Sequence, residues 1–235
     1  MEYFKQYWKL SKSPIYSLVF VLPLVIVYEI LIFSLNHSDI VGIRNGADAL
    51  FRQFFSMFGI FGFYLVGFVV MLVLFLIYKF QEKGKKQQPF QQQFFFLMFM
   101  ESLLYAYLLR IILDKLLFIS LMDIDALSIR EKIAMCIGAG VYEELIFRII
   151  FLQAAFIIAK FVFRFSRTIS GIIALVVSSF IFSWFHYIGV FGDPLEIISF
   201  LFRFLAGALL GTIFMFRGYG VAVYTHALYD LLLFV

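Results

Sequence analysis

Long apolar runs govern what this chain can become: Ile15 to Leu35, Ile60 to Tyr78 and Gly171 to Val190 are each close to the length of one bilayer crossing. About 20 apolar residues in helical form span a hydrocarbon core of about 30 Å. The rest of the composition agrees, since 64% of the 235 residues are hydrophobic and only 14% are charged, against roughly 25% charged in soluble domains. The chain is therefore read as an integral membrane protein, all-α and polytopic. Its first run is too long for a signal-peptide core and lacks a small-x-small cleavage site, so it reads as an anchor.

The hydropathy pattern predicts seven spans, at about 15–35, 60–78, 94–121, 133–158, 169–190, 197–216 and 219–235. The third is long and is expected to break near Asp114-Lys115. Residues 40–58 read as an amphipathic surface helix, with a re-entrant segment as the alternative, and Gln81 to Gln93 as a polar connector. No internal repeat is visible, which gives no support to the paired halves of many transporters. Lys5, Lys9 and Lys12, then Lys79, Lys83, Lys85 and Lys86, then Lys160, Arg164 and Arg167, then Arg217 fall in alternate loops. Those loops are expected on the cytoplasmic side, with the N-terminus inside and the C-terminus outside. The net charge of +4 is then a topology signal and gives no reason to expect nucleic acid as a partner.

Within this apolar frame a few ionisable residues stand out. Glu143-Glu144 is followed by Arg148, then His186, then His226 with Asp230 four residues on. A charged side chain at the bilayer centre costs roughly 2.5 to 3.5 kcal/mol on insertion scales, so such residues persist in pairs or beside a wet cavity. Glu144 and Arg148 are at i, i+4 spacing, the geometry of a helical ion pair. Glu143 points about 100° away from Glu144 on a regular helix and is expected to project into a cavity as a general base. His226 and Asp230 share a helix face. His186 follows Phe182 by one turn, among rings. By span counting, Glu143 and His226 each lie roughly 14 Å below the outer face and His186 about 6 Å below it, close enough in depth to converge around one water.

The set Glu143-Glu144-x-x-x-Arg148, Phe182-x-x-x-His186 and His226-x-x-x-Asp230 resembles, in order and spacing, the three motifs of the CPBP family. These are the CAAX-protease and bacteriocin-processing (Abi) intramembrane endopeptidases. The resemblance covers about the last hundred residues, so 131–235 is expected to hold the catalytic helices and 1–130 further helices without a recognised motif, in a single membrane domain. It implies a glutamate-type protease in which Glu143 and His186 activate water. His226 and Asp230 would stabilise the oxyanion, with Glu144, Arg148 and Phe182 in support. Asp230 departs from the Asn of the CAAX-prenyl enzyme. An ionised Asp cannot donate to an oxyanion, so Asp230 is expected to orient His226 instead. A membrane-associated or lipid-modified protein is the implied substrate, membrane lipid a further partner, and a bacterial cytoplasmic membrane the expected location.

A zinc mechanism would use His186 and His226 as ligands, but HExxH is absent and no cofactor is favoured. A proton-coupled transporter and a non-catalytic scaffold or immunity protein are the rival classes. Among other residues, Arg203 is read either as a receptor for a substrate carboxylate or as half of a packing ion pair. Glu29 and Glu101 either line the substrate path or pair with Arg or Tyr, and Arg110 with Asp114 is read as an internal pair or as a snorkelling residue near a span end. Gly138-x-Gly140 and Gly207-x-x-x-Gly211 mark close helix contacts. Cys136 is a packed thiol, and the 34 Phe face lipid or fill gaps between helices.

Overall fold

A computed structural model describes residues 2–34, 91–117, 128–188 and 192–234. The expected span at 60–78, the surface helix at 40–58 and residues 81–90 of the polar connector lie outside them. The described residues form helices only: α1 (Glu2–Ser11), α2 (Pro14–Ser34), α3 (Gln93–Leu117), α4 (Ile129–Val162), α5 (Arg167–Phe185), α6 (Ile197–Arg217) and α7 (Tyr219–Phe234). Five of them, α2 to α6, are long and apolar enough to cross a membrane. α7 has 16 residues and is shorter than a full crossing. The protein is thus an all-α, polytopic membrane protein.

Two boundaries differ from expectation. α3 runs without a break through Asp114-Lys115, because Arg110 pairs with Asp114 along the helix and also donates to the Leu232 carbonyl of α7. α5 ends at Phe185, and His186 sits at its C-cap rather than inside the span. Elsewhere the starts follow local chemistry. Ser128 and Glu131 form a reciprocal capping box that begins α4, and the Ser166 hydroxyl accepts from the Ile169 amide at the start of α5.

α7 lies at the centre of the bundle, packed against α2, α3, α4 and α6. Its residues enter all three buried clusters: Tyr219 and Val223 with α2 and α4, Val221 with α1, α2 and α3, and Tyr229 with α3 and α6. Lipid tails are as apolar as Leu, so helices in a bilayer associate through close packing and hydrogen bonds. Small residues supply that closeness here. A Cβ on Gly140 would stand 2.7 Å from the Val223 carbonyl oxygen and 2.8 Å from the Ala227 Cβ, so α4 and α7 touch almost backbone to backbone. Gly207 and Gly211 likewise press α6 against Phe182 and Leu175 of α5. α6 passes into α7 through Gly218 alone, whose φ of +83° is the left-handed conformation that glycine tolerates best.

Candidate active site

The contact at Gly140 determines what meets next. One turn further along α4 come Glu143 and Glu144, and beside Ala227 on α7 is His226. α4 is not a regular helix at this point: Ala139–Glu143 and Leu145–Leu152 are π-helical, with Glu144 between them. π segments are rare and concentrate at functional sites because the wider turn redirects side chains. Hydroxyls from neighbouring helices accompany both segments. Tyr219 Oη donates to the Val141 carbonyl at 2.9 Å, and Ser178 Oγ donates to the Phe147 carbonyl at 2.6 Å.

With this geometry the two consecutive glutamates address one imidazole. His226 Nδ1 lies 3.0 Å from Glu144 Oε1, and since a carboxylate accepts, Nδ1 carries the proton. His226 Nε2 faces Glu143 Oε2 at 3.9 Å and Asp230 Oδ2 at 3.6 Å. The hydrogen bond that fixes the ring therefore goes to Glu144, whereas the sequence reading gave that orienting bond to Asp230. Asp230 stands against the other nitrogen, beyond hydrogen-bond length, because a residue four positions along the same helix reaches the ring edge nearest its own turn.

Arg148 completes the cluster. It is wholly buried, its Nε 3.1 Å from Glu144 Oε2, and its guanidinium lies 5.0 Å from the centroid of the Phe182 ring. Phe182 in turn meets His186 edge-on at 5.1 Å and His226 at 6.1 Å between centroids. The phenyl ring is thus a shared wall between the two histidines and the arginine. His186 Nδ1 is 2.9 Å from the Phe182 carbonyl oxygen. A carbonyl only accepts, so Nδ1 carries a proton and donates it there.

Glu143, Glu144, Arg148, His226 and Asp230 are therefore brought together, and His186 joins them through Phe182. Arg203 stands apart from the cluster. It ion-pairs with Asp193, and its guanidinium lies 5.0 Å from the Tyr187 ring centroid. Of its two readings, the packing ion pair is the one observed. Glu29 accepts from Tyr142 Oη at 3.2 Å, and Glu101 is bound by Arg217 and Tyr7. Cys136 is buried as expected. Sequence reasoning missed Tyr219, Ser178 and the π turns they accompany; the only signal was Gly138-x-Gly140, read as a close contact without its consequence for the register. Among the described residues no group of three His, Cys, Asp or Glu side chains is arranged to hold a metal ion.

A bundle of membrane helices enclosing a buried carboxylate–imidazole–guanidinium cluster defines a class: an integral membrane protein with a polar cluster inside an apolar bundle. Residues 126–232 match the family model described as type II CAAX prenyl endopeptidase Rce1-like, the same family that the three motifs resemble. That is a protease family, and the matched segment contains every residue of the cluster. No curated protein and no solved structure matches the chain.

Proposed function

We propose that this protein is a glutamate-type intramembrane endopeptidase that hydrolyses a peptide bond of a membrane-associated or lipid-modified protein or peptide. The observation that carries the reading is His226 held between two consecutive glutamates, with Nδ1 committed to Glu144 and Nε2 turned toward Glu143 and Asp230. Glu143 takes a proton from water, and the Nε2 lone pair of His186 accepts the second hydrogen of the same water and orients it. The hydroxide adds to the peptide carbonyl carbon. His226, doubly protonated between its carboxylates, donates from Nε2 to the resulting oxyanion, and Glu143 returns its proton to the departing amine. Glu144 and Arg148 neutralise each other and hold the imidazole. Asp230 stands beside Nε2 at 3.6 Å.

No step is routed through a metal in this reading, and a zinc-dependent version, with His186 and His226 as ligands, is its alternative. Activity abolished by a chelator and restored by zinc would replace this mechanism with a metal-dependent one. The N-terminus is placed inside and the C-terminus outside, in a bacterial cytoplasmic membrane, which reporter fusions at the polar connector and at the C-terminus would test. The function itself is tested by comparing protein termini in membranes of cells expressing the wild type and Glu143→Gln. Termini produced only by the wild type support the protease and name its substrate. Identical termini, with the biological phenotype retained in Glu143→Gln, would move the reading to a scaffold.

A further inference from the structure

We infer that α1 is a docking element for anionic phospholipid headgroups. Three span ends converge on this ten-residue helix. α2 starts three residues after it, Phe94 at the start of α3 packs on the rings of Tyr3 and Tyr7 at 5.4 and 5.3 Å, and Arg217 at the end of α6 reaches back to it. Arg217 Nη2 donates to Ser11 Oγ at 2.9 Å, and its guanidinium lies 3.9 Å from the centroid of the Trp8 ring. An element pinned to the ends of three membrane helices lies at the level where hydrocarbon gives way to headgroups.

Its outer surface has the composition of that level. Tyr7 and Ser11 point inward, while Phe4 (71% exposed) and Trp8 (42%) form an uncovered i, i+4 pair. Beside it Lys5 and Lys9, one turn apart, form an exposed stripe, and Lys12, in the turn after α1, places Nζ 4.8 Å above the Trp8 ring. The carboxylate facing this region from another element, Glu101 of α3, is already bound by Arg217 and Tyr7. Among the described residues Glu2 is the one acid on α1, and the stripe carries excess positive charge at lipid level. Rings that enter the interface next to lysines that meet phosphates are the recognition chemistry of an anionic bilayer surface.

The chain has two tryptophans, so Trp184→Phe leaves Trp8 as the sole indole reporter. The full-length protein is placed in phosphatidylcholine nanodiscs containing a fixed fraction of phosphatidylglycerol, with bromine near the headgroup end of the chains of one lipid or the other. Brominated phosphatidylglycerol is expected to quench Trp8 several-fold more than brominated phosphatidylcholine at equal mole fraction. Added salt, or Lys5→Gln with Lys9→Gln, should shrink that preference. Equal quenching by the two lipids, unaffected by salt, would overturn the inference. So would absence of quenching by either, which would mean that protein covers this face. If the double variant fails to fold, the salt titration of the parent protein still decides, and neither readout depends on protease activity.

Discussion

Two buried Glu–Arg clusters lie roughly 10 Å apart along the α6–α7 turn and α7, and they are built to opposite ends. Around Arg217 every strong contact is closed: Glu101 takes the guanidinium through both oxygens, Tyr7 and Ser11 supply hydroxyls, and Trp8 and Tyr7 supply ring faces. Around Arg148, Glu144 pairs with the guanidinium and the Phe182 ring lies against it. His226 Nε2 faces Glu143 and Asp230 at 3.9 and 3.6 Å, longer than a hydrogen bond. Saturated polar groups fix helices to each other, whereas loosely spaced ones retain free energy to be gained by a reacting group. The first cluster has the make-up of a structural clamp, and the second is the site proposed for the reaction.

The sharpest division between them is the removal of one charge from each. Glu143→Gln should lower the cleavage rate by roughly 10²–10⁴-fold, the range of a lost general base, with little change in thermal unfolding. Glu101→Gln should do the reverse, lowering the unfolding midpoint in detergent while kcat of the folded fraction stays near wild type. Equal effects in both assays would erase the comparison.

Removing the cations comes next. Arg148→Met strands buried Glu144 and Arg217→Met strands Glu101, and losing one partner of a buried pair costs about 3–5 kcal/mol. Denaturant unfolding should show a loss in both variants, while only Arg148→Met should also reduce kcat, because Glu144 then no longer holds His226. Tyr219→Phe is a milder probe. It leaves the Val141 carbonyl without its hydroxyl donor, which costs about 1–3 kcal/mol, and it should reduce kcat more than it raises KM if the π turn aims Glu143.

The smallest effect concerns pH at the clamp. Burial, and then the hydrogen bond to Glu101, push the Tyr7 phenol well above its usual range. A proton held more tightly in the folded state gives stability that is complete below the ordinary tyrosine value of about 10 and is lost as pH rises beyond it. Tyr7→Phe should make unfolding less sensitive to pH above about 10, and an unchanged alkaline slope would show that the clamp does not depend on that proton.

Much of the site was legible before any coordinates. Glu144–Arg148 and Arg110–Asp114 follow from helical spacing alone and are found as pairs. The paired glycines on α4 and α6 do mark close contacts. Asp230 was harder, because its orienting partner depends on which ring nitrogen faces which helix. Arg203 was left with two readings for the same reason: its partner Asp193 comes from a loop, where spacing carries no periodic signal.

By itself the sequence determined the solvent, the helical class and the charges that need partners. Apolar run length forces helices into a bilayer, and each charge placed within such a run demands a partner. Where the partner is on another element, only the tertiary structure decided which it is. The Gly140 contact and the π turns of α4 depend on α7 lying against it, and a change of register in one helix turns a carboxylate from a regular helix face toward an imidazole on another. Local periodicity cannot encode that change, because the hydroxyl beside the altered backbone, Tyr219, arrives from a segment 78 residues away.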